Sequence, residues 1–240
     1  AMRAGDLGFF DRLQEVAGGM IRMVTVAPEI EGVLPLIETL SSRGIIVSLG
    51  HTSAGLDQIR QATKAGAMLS THLGNGTATM LSKHDNPILA QLSEDRLSAC
   101  FIADGYHLSK EQLQLYLRAK GLARSILVTD ATAAAGAVPG IYGLGSMELE
   151  RQQEPVAFAP NTGRPAGSAV TLDQCVQNVI NWFDLSLDEA ISLASHNPRK
   201  IMAMESPETD DPEHCVKWKK EDGRWKVVEA QCGAFSIQNQ

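Results

Sequence analysis

Over residues 20–129 the chain repeats one rhythm, a short apolar run ending on a polar or charged residue and then a longer amphipathic stretch. Such alternation is the pattern of successive βα units. It predicts strands over residues 22–27, 45–49, 68–71, 97–103 and 125–129, with helices over 33–42, 55–65, 87–93 and 110–120. The run Ile45-Ile46-Val47-Ser48-Leu49 is almost continuously apolar rather than alternating, as a strand buried on both faces requires. An α/β fold with a parallel sheet under helices follows, either doubly wound or closed into a barrel.

Beyond residue 129 the pattern changes. Residues 136–167 are rich in Gly and Pro, and alternating pieces such as Met147-Glu148-Leu149-Glu150 predict a small hairpin region inserted as a loop. The spacing of Val170, Val176, Val179 and Ile180 predicts a helix over 171–183. A second is expected over 187–195, and Asn197-Pro198 restarts a short one ending near Met204. A charged, Pro-containing stretch over 205–213 leads into extended segments at 214–218 and 224–229, joined by a turn at Asp222-Gly223. The expected organisation is a main domain over 1–204 and a small β segment over 205–240.

Composition narrows the function. With 44% hydrophobic residues in 240, the chain can bury a sizeable core. A net charge of -7 lacks the basic surface that displaces counterions from nucleic acid, so no nucleic-acid partner is expected. Cys100, Cys175, Cys215 and Cys232 form no CxxC pair, which argues against a disulfide framework or a zinc knuckle and for a reducing, cytoplasmic setting. No apolar run is long enough for a membrane span, and the first dozen residues do not read as a secretory signal. Small-molecule chemistry fits best.

The chemistry-bearing residues follow the strands. Glu29, His51, His72, His107 and Asp130 stand at the C-terminal ends of five successive predicted strands. Singly, each has a plain explanation, Asp130 as a helix cap or Glu29 as a carboxylate near a helix N-terminus. Together they resist it, because capping favours Ser, Thr, Asp and Asn and has no use for repeated His. In a parallel barrel those ends converge on one rim. Two histidines and a carboxylate on such a rim suit a catalytic metal with an open position for water.

These residues lie in motifs that resemble the N-acetylglucosamine-6-phosphate deacetylases of the amidohydrolase superfamily. The matching stretches are VTVAPE with Glu29, SLGHTSA with His51, STHLGN with His72, IADGYH with His107, LVTDATAAAG with Asp130, PAGSAVTL around Ser168 and ASHNPRK around Asn197. Their order and spacing agree over residues 20–204. The resemblance implies a (β/α) TIM barrel in which Glu29, His51 and His72 hold one divalent metal, with zinc expected and iron, cobalt or nickel compatible. It further implies that Asp130 is the catalytic acid and base and that His107 contacts the substrate. Substrate contacts are also expected from Gly74, Asn75 and Gly76 in the turn after His72, and from Ala166, Gly167 and Ser168. The implied reaction is removal of the acetyl group from an N-acetylated amino sugar, N-acetylglucosamine-6-phosphate being the expected one, giving glucosamine-6-phosphate and acetate, and the resemblance is compatible with a homodimer.

Three departures qualify these expectations. The turn after His72 reads Leu73-Gly74-Asn75-Gly76-Thr77, where the family usually has HLFNAM or HLYNAM, which implies a wider pocket. The family's downstream phosphate-binding arginine has no counterpart in Leu81-Ser82-Lys83-His84-Asp85-Asn86-Pro87, leaving Lys83 or His84 for that part. Lys binds phosphate as a point charge without the bidentate fork of Arg. In the family a substantial segment also precedes the metal glutamate, whereas Glu29 stands near the start here, so a barrel incomplete at its N-terminal side is expected. Other amidohydrolase activities, or a catalytically silent fragment, are the alternatives.

Overall fold

A computed structural model describes residues 3–204 and 213–238. The βα rhythm is realised as β1 (Met23–Val26), α2 (Val33–Ser42), β2 (Ile46–Leu49), α3 (Leu56–Ala65), β3 (Leu69–Ser70), α4 (Pro87–Ser93), β4 (Ser98–Ile102), α5 (Lys110–Lys120) and β5 (Ser125–Val128). These strands form one sheet in the order β1-β2-β3-β4-β5, parallel from β1 through β4 in the registers Val24↔Val47, Leu49↔Ser70 and Ser70↔Ala99. A helix that the sequence pattern did not announce, α1 (Leu7–Val16), precedes β1. The Asp6 carboxylate caps it by accepting the Phe9 N–H at 3.0 Å.

The expected continuous burial of the second strand is found, since all four residues of β2 are buried. Its core face joins Ile37 and Leu40 of α2 and Ile59 and Ala62 of α3, all at 0% exposure. Fully burying an Ile or Leu side chain contributes about 1.5–3 kcal/mol. The 3/4 spacing of Ile59, Ala62 and Thr63 gives α3 its inward stripe, and Gly66 at φ 116° ends it in a conformation that favours glycine. Asn86 and Pro87 open α4 as sequence rules require, the Asn86 side chain accepting the Ile88 and Leu89 N–H groups at 3.1 and 2.9 Å.

At the N-terminal ends of β4 and β5 a charged network is closed on itself. Lys120 is 1% exposed, and its ammonium donates to the carbonyls of Gln91 and Glu94 at 2.7 and 2.8 Å, finishing the C-terminus of α4. Burial pushes Lys120 down to about 8. The Arg96 guanidinium clasps the Glu94 carboxylate through two bonds of 2.8 Å and holds its pKa down at about 2. Arg124 pairs with Asp95 at 2.8 Å.

The chain divides into two compact units, Ala1–Phe101 with Glu111–Ile126, and Ile102–Lys110 with Leu127–Gln240. In the second unit the expected hairpin region is a four-stranded antiparallel sheet of β6 (Gly140–Leu144), β7 (Met147–Arg151), β8 (Val156–Phe158) and β9 (Pro165–Ser168). Helix α6 (Leu172–Phe183) follows, burying Cys175, Val176 and Val179. The helix expected over 187–195 is instead α7 (Leu187–Ile191), opened by a Ser186–Glu189 capping box and continued as a π-helical turn at Ser192–His196. The restarted helix α8 spans Asn197–Ile201. The charged stretch expected over 205–213 lies outside the described residues except for Glu213. The C-terminal strands run further than their apolar patterns suggested, as β10 (His214–Glu221) and β11 (Arg224–Cys232), and a third strand, β12 (Phe235–Gln238), pairs with β11. Among the described residues, no helix is long and apolar enough to cross a membrane.

Candidate active site

In the first unit, three strand ends are held by a ladder of hydroxyls. Thr71 Oγ1 lies 2.9 Å from Thr25 Oγ1 and 2.6 Å from Ser48 Oγ, linking β1, β2 and the end of β3. The chains pass so closely that a Cβ at Gly50 would stand 2.7 Å from Thr71 Cβ and 2.9 Å from Thr25 Cγ2. Just beyond this packing, His51 and His72 adopt φ values of 51° and 31°. Non-glycine residues are rare there, and each such conformation costs of order 1–3 kcal/mol that the surrounding packing must impose.

That backbone brings the two rings together. His51 Nε2 and His72 Nε2 are 3.0 Å apart, with ring centroids at 4.7 Å and planes at 83°. Two ligands of one tetrahedral zinc, each at about 2.0–2.1 Å, stand about 3.3 Å apart, so the facing nitrogens fit a shared ion with a small opening. Gly76, at φ 64°, leaves room for this arrangement, because a Cβ there would lie 2.6 Å from His51 Nδ1. Within the same turn, Asn75 sends both its backbone N–H and its side-chain amide to the His72 carbonyl, at 3.0 and 3.1 Å.

Glu29 is turned toward the segment after His51. Its carboxylate accepts the Thr52 hydroxyl, the Ser53 N–H at 2.6 Å and the Ser53 hydroxyl at 3.1 Å. Burial raises its pKa, but these hydrogen bonds outweigh that and leave it below the ordinary carboxylate value. Glu29 is therefore an anion with lone pairs still available, the state a ligand needs. Among the described residues, however, no three His, Cys, Asp or Glu side chains are drawn together as one metal-holding group. The histidine pair is assembled, and Glu29 stands apart from it.

Lys83 and His84 lie on an exposed turn closed by Asn86 Nδ2 donating to the Ser82 carbonyl at 2.9 Å. Asp85 ties that turn to α3 by accepting the Leu56 N–H at 2.7 Å. An apolar cavity of about 1020 Å³ also lies in this unit, lined by α1, α2 and β1 and reaching Gly50, His51 and Gly76.

The second unit carries the remaining residues. Asp130, exposed after β5, has φ 49°, the third such strain at an expected site residue. Its turn is stitched to β9: the Asp130 carbonyl accepts the Ser168 N–H at 3.3 Å, and the Ser168 carbonyl accepts the Thr132 N–H at 3.0 Å. Gly167 permits that contact, since a Cβ would meet Thr132 Cγ2 at 2.3 Å, while Ser168 is fully buried and its hydroxyl accepts the Val170 N–H at 3.0 Å. Ala166, one residue earlier, is half-buried and packs against the cluster of Ala134, Leu149, Ala157 and Ala169.

His107 sits on a turn whose buried Asp104 the motif reading passed over. Asp104 Oδ1 accepts the N–H groups of Tyr106 and His107 at 2.8 and 2.9 Å, and Oδ2 lies 2.6 Å from His107 Nδ1. The Asp-x-x-His spacing was the available signal. Burial pushes the thiols of Cys100 and Cys175 up to about 12, so neither is a thiolate nucleophile at neutral pH.

No protein-family model matches the chain. It is 36% identical over 194 residues to the human N-acetylglucosamine-6-phosphate deacetylase, covering 77% of this chain and 46% of that one. To the N-acetylgalactosamine-6-phosphate deacetylase of Escherichia coli O157:H7 it is 32% identical over 200 residues, covering 83% and 52%. Its fold matches the N-acetyl-D-glucosamine-6-phosphate deacetylase of Mycobacterium smegmatis, solved in complex with N-acetyl-D-glucosamine-6-phosphate, at a TM-score of 0.87 and 28% identity, over 99% of this chain and 63% of that one. The chain is homologous to part of an N-acetylglucosamine-6-phosphate deacetylase.

It spans about half the length of the curated deacetylases it matches. The structural likeness to the deacetylases extends past the motifs at residues 20–204 to nearly the whole chain. The described strands β10, β11 and β12, which the motifs left unassigned, thus fall within the span of that likeness.

Proposed function

We propose that the chain supplies the catalytic part of a metal-dependent amidohydrolase that removes the acetyl group from an N-acetylated amino sugar 6-phosphate, on a partial (β/α) barrel. The observation that carries this reading is the pair of facing imidazole nitrogens, held 3.0 Å apart by strained strand-end backbones within motifs shared with the deacetylases. The pair would hold a divalent ion, zinc being the first candidate, with Glu29 as the anionic third ligand. When bound, that ion supplies Lewis acidity toward the amide carbonyl and lowers the pKa of a water.

The chain's own groups do the rest. Asp130, exposed at its strand end, takes a proton from the attacking water and returns it to the nitrogen as the C–N bond breaks, leaving acetate and the free amine. His107 orients the sugar. The Ala166-Gly167-Ser168 strand, buried at Gly167 and Ser168, fixes the Asp130 turn, and Gly76 leaves room for the His51 ring. Lys83 and His84 provide cationic or donor groups for a phosphate, and the turn that presents them is closed in advance. The sugar epimer is a genuine question, because relatives named for the glucosamine and the galactosamine forms match this chain about equally.

The test is elemental analysis of the purified chain together with acetate release from N-acetylglucosamine, N-acetylgalactosamine and their 6-phosphates. About one metal per chain with acetate release supports the reading, and the preferred sugar defines the substrate. A second reading, a silent fragment, is favoured by the separation of Glu29 from the histidine pair. Neither metal nor acetate under metal-replete conditions would establish it.

A further inference from the structure

Asp104 is a carboxylate with 0% side-chain exposure, and the ion-pair partner the described residues give it is His107. Burying an anion is costly unless donors compensate it, and here every compensating bond is local. An asparagine would satisfy the Tyr106 and His107 N–H groups equally well through one oxygen. What only a carboxylate does is accept the ring N–H of His107 at 2.6 Å without offering a proton in return.

We propose that Asp104 is a positioning residue that fixes the tautomer of His107: Nδ1 carries the proton, and in the neutral ring Nε2 is left as a bare lone pair for a sugar hydroxyl rather than a donor for the acetyl carbonyl. This rests on the deacetylase reading for what His107 faces, and on geometry alone for the tautomer. The turn is rigid enough to aim the ring. Asn178 of α6 donates to the Ala103 carbonyl at 2.7 Å, Trp182 one turn later lies 3.3 Å from where a Cβ of Gly105 would be, and the Lys110 ammonium stacks over Trp182 at 5.0 Å. The preceding strand end is thus held from α6, while Asp104 sets the ring's rotation and proton. Outer partners that orient metal-bound histidines are worth about 10–100-fold in activity, and the same orienting bond is made here to a substrate-facing ring.

The experiment is a long-range 1H–15N correlation spectrum of the labelled full chain, read at a pH where the ring nitrogen shifts themselves report a neutral imidazole. His107 should show a protonated Nδ1 and an unprotonated Nε2. In Asp104→Asn the side-chain amide donates to Nδ1 and the pattern should invert, with the melting temperature nearly unchanged because the turn's backbone bonds survive. Acetate release should then fall at least tenfold, mainly in kcat/KM. A wild-type ring protonated at Nε2 overturns the proposal without any variant. So does an inverted tautomer in Asp104→Asn with undiminished turnover. A wild-type chain that releases no acetate counts against the deacetylase reading instead, and the tautomer is still decided by the spectrum.

Discussion

The two ends of the parallel strands are built on opposite principles. At the N-terminal ends of β4 and β5, Lys120, Glu94, Arg96, Arg124 and Asp95 have partners and ordinary helix or loop conformations. At the C-terminal ends, His51, His72 and Asp130 sit in left-handed backbone, and two rings face each other across 3.0 Å. One end spends its polar groups on holding the chain together, and the other spends stability on holding groups in place. This difference, more than any single motif, singles out the C-terminal ends as the candidate site.

Substitutions at the two ends should therefore separate activity from stability. The largest effect is expected from Asp130→Asn. Asn tolerates the left-handed region, so the melting temperature should hold while acetate release falls about 10²–10⁴-fold. Comparable turnover in this variant would erase the functional side of the contrast.

Next comes Lys120→Met, which leaves the Gln91 and Glu94 carbonyls buried without their donor and should cost about 1–3 kcal/mol in urea unfolding. Metal content should stay at the wild-type level. Loss of metal here would mean that the two ends are not independent.

Acid titration gives a third, smaller effect. The folded pKa of Glu94 is about 2 against an ordinary 4.5, so the unfolded chain binds its proton first as pH falls. Stability is then fully present above pH 4.5 and is lost as pH drops toward 2. Because Arg96 is half-exposed, the contribution is discounted to about 1 kcal/mol. Glu94→Gln should flatten this limb of the curve, read by urea melts across the window.

The smallest effect has the opposite sign. His51→Gly relieves the strained φ and should raise stability by up to about 1 kcal/mol while abolishing metal uptake. A destabilised His51→Gly would show that the ring's packing, not the conformation, dominates at this position.

Much of this architecture was legible in the sequence. Helices α2, α4 and α5 begin and end where pattern and caps predict, because Asn86-Pro87 and the 3/4 apolar spacing act locally. Helix α1 was not read, since Leu13 and Val16 on its surface are 45% and 89% exposed and blur the stripe. Strand β12 was missed for a similar reason, all four of its residues being exposed. The strand-end residues could be named but not their strain, for histidine carries no signal of left-handed backbone. Lys120 carries no mark of burial in the sequence; only the fold reveals that its ammonium is turned inward.

The π-helical turn at Ser192–His196 carries a consequence for insertions and deletions. A π turn accommodates one residue more than an α turn, so a single deletion within it would tighten it to an α turn between α7 and α8. Each helical residue turns the chain by about 100°. Because the wide turn absorbs its extra residue, the deletion would keep Asn197 on nearly the same face, and it would set Pro198, which has no N–H to give, inside a continuous α-helix.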